Sequence, residues 1–339
     1  IFTIAFILLI GMGFNVAKLV HSLDFEASVS TSTIFVSNNG NDAAGCGSST
    51  SATCRSLCYV LTNAIPPPSE TLYINVLPGT YSGDQNTNCA VNDFSVVISA
   101  TSVASVVVSG LGNTSSFLSL SNGDLTLNGL VIQDFTFAAV VAQRSSVQLS
   151  ECQVYGAALF ASYLSASPSS FYNISVTGSV FRGAGARVSS GDAAAIQVIA
   201  TELMSPAVAS VAVNISGNSV FSGYATSHRV AGGAVSIVGA ASVSITDALF
   251  SNNSVTVSTG TPFCGGGAVF ADAGTVAVRN TLFVQNAVQC VRFPIGNDSY
   301  PIVMGDVLGG GALRGLCGAG GCDLTNCSFV SNTATILPQ

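Results

Sequence analysis

Charge is what this sequence has least of. Only 7% of its 339 residues are Asp, Glu, Lys or Arg, where soluble domains carry about a quarter. Tryptophan is absent, lysine occurs once, at Lys18, and the two histidines are His21 and His228. So few charges exclude surface helices laced with ion pairs; Ser, Thr and Gly supply the polarity, which suits strands and turns. The formal net charge is −7, and without Lys18 eight arginines face 16 acidic residues. Such a chain repels phosphate backbones, so nucleic-acid partners are excluded. A zinc site needs a tetrahedron of Cys and His ligands, and His228, a lone loop residue, is the one nitrogen donor beyond residue 22. No metal site and no cofactor are expected.

The first long hydrophobic run is Ile1 to Ala17, followed by Lys18 and the small-residue pattern Val20-His21-Ser22. As a helix it would span roughly 26 Å, short of the roughly 30 Å hydrocarbon core. Residues 1–22 are therefore expected to be a signal peptide, incomplete at its start because no initiator Met is present. Membrane association is expected only if that segment stays uncleaved or a region beyond Gln339 supplies an anchor. Export places the ten cysteines in an oxidising compartment. Sequons stand at Asn113, Asn173, Asn214, Asn252, Asn297 and Asn326; they permit N-glycosylation, and chance alone accounts for about as many.

Residues 23–93 form an N-terminal cap and first coils. Ile34-Phe35-Val36 is a short strand, Ser37 to Asp42 a turn, and Leu57, Val60, Leu61 and Ala64 share helical spacing. Pro66-Pro67-Pro68 stops that helix. Residues 94–339 alternate short apolar strands with Gly, Asn and Ser turns, and from Leu125 to the end one unit repeats: apolar-x-apolar, a small residue three positions on, a large apolar residue two beyond. Leu125-x-Leu127 leads to Leu130 and Ile132, Val147-x-Leu149 to Cys152 and Val154, Ile174-x-Val176 to Ser179 and Phe181. Val243-x-Ile245 leads to Ala248 and Phe250, Val276-x-Val278 to Thr281 and Phe283, Cys322-x-Leu324 to Cys327 and Phe329. The copy ending at Phe221 reads as one residue short. Alternation of period two makes the repeated element a strand, and the serial repeat makes the whole a solenoid.

Two further motifs alternate through the C-terminal third. Gly232-Gly233-Ala234, Gly266-Gly267-Ala268 and Gly310-Gly311-Ala312 interleave with Phe250-x-x-Asn253, Phe283-x-x-Asn286 and Phe329-x-x-Asn332. The glycines allow a tight return into the stack, Phe fills the interior, and Asn can build a side-chain ladder at a turn. From each Ala to the next Phe the spacing is nearly constant, whereas from Phe to the next Gly-Gly-Ala it ranges from 13 to 29 residues. Stacked strands must hold register, so the long loops, the longest running from Ala287 to Leu308, are expected to leave from one edge. Cys152 and Cys327 occupy the small-residue slot of the repeat and are expected to be buried thiols. That leaves Cys46 with Cys54, Cys58 with Cys89, Cys317 with Cys322, and Cys264 with Cys290 between successive loops, as candidate disulfides.

The alternation of Gly-Gly-Ala-[Ile/Val/Leu] with Phe-x-x-Asn over residues 230–332 resembles the repeats of the chlamydial polymorphic outer-membrane protein family. Residues 33–83 resemble the N-terminal cap of pectate-lyase-like repeat proteins. The resemblance implies an all-β, single-stranded, right-handed parallel β-helix with a short N-terminal capping helix, in an exported, adhesive surface protein. The sequence departs from that family in lacking the alternating aromatic strands of a C-terminal transporter barrel, and its glycine motifs are absent before Ala231.

No catalytic residue is assigned. Glycosidases need paired carboxylates flanking the bond. The polygalacturonase-like motifs Asn-Thr-Asp, Asp-Asp, Gly-His-Gly and Arg-Ile-Lys are missing, and the acidic residues are scattered. Asp134, Asp247, Asp272, Asp306 and Asp323 would make a ladder only if they stacked on one face; solvated turns are the simpler reading. The expectation is a non-enzymatic extracellular or cell-surface protein that binds a carbohydrate or cell-surface partner through its loops. A polysaccharide lyase or hydrolase and a structural wall component are the alternatives.

Overall fold

The computed structural model describes residues 33–337 except 68–69, 113–115, 164–169, 184–193, 201–209, 227–231, 258–264, 292–310 and 319. It is a right-handed parallel β-helix with three strands to most coils, and every strand pairing is parallel. One face stacks strands such as Asp124–Asn128, Ser146–Ser150, Phe171–Thr177 and Ser210–Ser216. A second stacks Val131–Gln133, Gln153–Tyr155, Val180–Arg182, Val220–Ser222, Leu249–Ser251, Leu282–Val284 and Ser328–Val330. The third stacks Cys89–Asn92, Leu118–Ser121, Val140–Gln143, Leu159–Ser162 and Ile196–Ile199. Val235–Thr246 and Val269–Arg279 run unbroken from the third face onto the first of the following coil.

The repeat sets the register. Val147 pairs with Ile174 and Leu149 with Val176, and these four side chains are buried. A single left-handed residue turns the chain from the first face to the second in all but one of the coils from Ser146–Ser150 onward: Glu151, Gly178, Asp247, Asn280 and Asn326. Asn and Asp accept that conformation more readily than other side chains. The copy ending at Phe221 is one residue longer here, not shorter. Thr177 pairs with Ser216 and Val180 with Val220, and the extra residue fits because Gly217 and Asn218 are both left-handed, with φ of 69° and 62°.

Inside the second face, Phe181, Phe221, Phe250, Phe283 and Phe329 stack ring on ring at 4.6, 4.8, 5.1 and 4.9 Å. The first four are fully buried. Burial of one such ring contributes about 2–3 kcal/mol, and stacking adds about 1 kcal/mol. Three residues beyond Phe250, Phe283 and Phe329, the carboxamides of Asn253, Asn286 and Asn332 form a second column. Each Nδ2 donates to the carbonyl of the Phe one coil back: Phe221, Phe250 and Phe283 respectively.

After this column the chain continues as a fourth, small sheet, Ala225–Thr226, Ser254–Val257, Ala287–Val291 and Thr333–Leu337. The Gly-Gly-Ala motifs lead the chain back. A Cβ on Gly233 would overlap the Gly267 carbonyl and the Ser254 backbone; one on Gly267 would overlap the Gly311 carbonyl and the Ala287 backbone. Neither Gly233 nor Gly267 has a positive φ, so space and not backbone conformation requires glycine there. Gly310 lies outside the described residues.

Long connections leave from two corners, not one. Residues 184–193, 227–231, 258–264 and 292–310 precede third-face strands, as the Phe to Gly-Gly-Ala spacing implies. Residues 164–169 and 201–209 instead link third-face to first-face strands. Both corners lie outside the paired strands, so insertion at either leaves the register intact.

At the N-terminal end, helix Leu57–Asn63 buries Leu57, Val60 and Leu61 over the first coil. Ser56 gives its helix no side-chain cap; Asp42 Oδ1 accepts from the Arg55 and Ser56 N–H groups, and Asn86 Oδ1 from that of Leu57. Disulfides Cys46–Cys54 and Cys58–Cys89 tie this cap together, and Cys317–Cys322 bridges the last corner. The signal-peptide segment lies outside the described residues.

Candidate functional site

The corner from the third face to the first carries a column of left-handed residues in three consecutive coils: Asp93, Asn122 and Arg144, with φ of 62°, 54° and 49°. They follow Asn92, Ser121 and Gln143, which are paired in register, so the three side chains stack at one edge of the first face. Beside them the first-face strands open with Ser95, Asp124 and Ser146. Gly123 is needed between, because a Cβ there would overlap the Phe94 carbonyl of the coil below.

These residues, with Glu70, Phe94, Phe171 and Tyr172, line a cleft of about 330 Å³. Its polar atoms are tethered by neutral donors. Asn122 Nδ2 donates to Asp93 Oδ1 at 2.9 Å and Ser95 Oγ to Asp124 Oδ2 at 3.1 Å. Arg144 Nε is buried without a hydrogen-bond partner. On the rim the Phe171 ring is 66% exposed. Its neighbour Tyr172 packs on Tyr163 at 4.8 Å, and the Tyr163 hydroxyl donates to the Ser145 carbonyl at 2.7 Å, anchoring that side of the cleft. An exposed ring beside fixed carboxylates, an amide and a guanidinium can stack on an apolar face and hydrogen-bond to hydroxyls around it.

The carboxylates expected to be scattered are thus partly gathered: Glu70, Asp93 and Asp124 share one cleft. None of the five acidic residues weighed as a ladder is among them. Asp134 and Asp247 occupy left-handed turns at different corners. Asp323 pairs with Arg279 at 2.7 Å on the outer first face, and its carboxyl is held below the ordinary range by hydrogen bonds from Arg279 and Thr325. Asp272 lies on the third-face half of Val269–Arg279, where burial raises its carboxyl. Asp306 and His228 lie outside the described residues.

Cys152 is buried, its thiol pushed up to about 11 by desolvation, with Sγ donating to the Leu127 and Ser150 carbonyls at 3.4 Å. Cys327 is a free, half-buried thiol. The expected pairing of Cys264 with Cys290 falls outside the description, as do Asn113, Asn297 and most of the Ala287 to Leu308 loop. Among the other sequons, Asn214 Nδ2 donates to Asn173 Oδ1 on the first face, Asn326 Nδ2 to Asn280 Oδ1, and Asn252 sits exposed in a left-handed turn.

No family model and no curated protein matches the sequence. Among solved structures, pectin methylesterase PemA from Erwinia chrysanthemi is similar at 13% identity and a TM-score of 0.40, over 75% of this chain and 79% of that one. A mutant of the PL6-family alginate lyase AlyGC is similar at 12% identity and a TM-score of 0.39, over 91% of this chain; the chain spans 40% of that enzyme's length. Pectate lyase Pel9A is similar at 13% identity and a TM-score of 0.35, over 92% of this chain and 80% of that one.

Proposed function

We propose that the protein acts outside the cell, or on its surface, as a non-enzymatic glycan-binding solenoid, with the corner cleft as its binding site. The observation that carries this reading is Phe171, a large ring left 66% exposed on the rim of a cleft whose other walls are polar and fixed. A sugar ring has an apolar face for stacking and a polar rim for Asn122, Asp93, Asp124 and Arg144. The disulfides are consistent with an oxidising compartment. The solenoid then serves as a rigid spacer that presents the cleft.

A degradative reading draws on the same cleft, since three carboxylates and an arginine are groups from which acid and base catalysis can be built. One experiment decides between them. Immobilised neutral and charged polysaccharides are offered to the folded protein and to Phe171→Ala, while the supernatant is assayed for new reducing ends and unsaturated products. Retention of the native protein, weakened about tenfold in the variant and without products, is the expected result. Product formation overturns the non-enzymatic reading; failure to bind any glycan overturns both.

A further inference from the structure

The electrostatics of the cleft narrow its ligand. Glu70, Asp93 and Asp124 bring three negative charges and Arg144 one positive charge, in a chain whose formal net charge is already −7. The ion pair Arg279 with Asp323 lies far along the solenoid, and among the described residues no side-chain cation is paired with the three cleft carboxylates. The contacts of Asp93 and Asp124 come from an amide and a hydroxyl, each engaging one oxygen and leaving the other to a ligand. Arg144 lines the same cleft but is joined to none of these acids by an ion pair, and its Nε has no hydrogen-bond partner.

Carboxylates that outnumber the one guanidinium, in a cleft that also bears an exposed aromatic ring, are the two elements that recognise an ammonium group: the carboxylate by charge-assisted hydrogen bonds, the ring by cation–π attraction. A polyanionic glycan would meet both the local excess of negative charge and the field of the whole chain. We infer that the cleft takes a cationic glycan, an oligomer of amino sugars with free amines, its ammonium groups set against Asp124, Asp93 and Glu70 and one ring stacked on Phe171. This rests on the glycan-binding reading of the same cleft and adds the charge of the ligand to it.

The test compares three oligosaccharides of equal length on the intact protein by calorimetry at mildly acidic pH: a glucosamine oligomer, its N-acetylated counterpart and an oligogalacturonate. The glucosamine oligomer is expected to bind about tenfold more tightly than the acetylated one, an advantage that shrinks at high ionic strength. The double variant Glu70→Gln with Asp124→Asn keeps the shape of the cleft; it should lower affinity for the glucosamine oligomer far more than for the acetylated one and so erase the advantage. Phe171→Ala should weaken both. Equal affinity for the two glucosamine forms, or tighter binding of oligogalacturonate, overturns the inference while leaving glycan binding intact. If none of the three binds, glycan binding itself fails and the inference with it.

Discussion

Asn253 and Asn286 are joined twice through one atom: Asn286 Oδ1 accepts the Asn253 backbone N–H at 3.1 Å and the Asn253 Nδ2 at 3.0 Å. One coil on, Asn332 Oδ1 accepts the same two donors from Asn286, both at 2.9 Å. One coil back the Tyr224 N–H donates to Asn253 Oδ1 at 3.2 Å. Each carboxamide therefore satisfies a buried amide of the preceding coil and a carbonyl of the Phe stack, so the polar column and the aromatic column are welded together.

Asn286→Ala removes both atoms of that joint. It leaves the buried Asn253 N–H without its acceptor, at a cost of about 1–3 kcal/mol, and takes from the Phe250 carbonyl the donor that joins it to the Asn column. A loss of about 3 kcal/mol is expected from urea titration followed by circular dichroism. A loss below about 1 kcal/mol would mean that water or a backbone shift replaces the ladder, which would then contribute little to holding the coils in register.

The Gly-Gly-Ala motifs make a sharper steric prediction. Gly267 has no left-handed φ, so an alanine there meets no penalty of that kind, yet its Cβ would fall on the Gly311 carbonyl and the Ala287 backbone. Backbone cannot swing aside as a side chain can, so Gly267→Ala is expected to destabilise by several kcal/mol, on the order of the severe class of core substitutions. Hydrogen exchange should localise the loss to the strands Ala287–Val291 and Val269–Arg279. Uniform loosening of all coils, or none, would show that the close approach is not what the glycine serves.

These ladders were legible because each motif repeats in consecutive coils at a spacing the backbone enforces. Phe250 and Phe283 announce one another, as do Asn253 and Asn286. The cleft was not, since it joins five segments that resemble nothing in one another: Glu70, Asp93-Phe94-Ser95, Asn122-Gly123-Asp124, Arg144 to Ser146, and Phe171-Tyr172. Only the strand register shows that Asp93, Asn122 and Arg144 occupy one corner position. A usable signal existed in the polar residue closing each alternating run, CAVN-Asp93, LSLS-Asn122 and VVAQ-Arg144, but the repeat read from Leu125 onward begins past two of them. The fourth sheet escaped for a related reason: its strands follow the Asn column inside the spacing that varies, where no repeat holds.

Buried hydroxyls and one thiol make the fold sensitive to alkali. Tyr81, Tyr163 and Tyr224 are buried, and their hydroxyls donate to the carbonyls of Leu77, Ser145 and Gly156. Desolvation pushes all three phenols up, that of Tyr81 to about 12. A group whose folded pKa lies above its unfolded value contributes stability that is whole below the unfolded value and lost as pH rises toward the folded one. For tyrosine the unfolded value is about 10, so stability should hold to about pH 10 and fall steadily toward pH 12. Unfolding titrations across that range, with tyrosinate absorbance recorded in parallel, check both the onset and its cause. Tyr224→Phe should begin less stable, having lost the bond to Gly156, but decline less steeply with pH. Cys152 should resist alkylation in the folded protein until the same alkaline transition exposes it. If every tyrosine ionises near pH 10 with no loss of structure, the three phenols are open to solvent and the interior is not packed as described here.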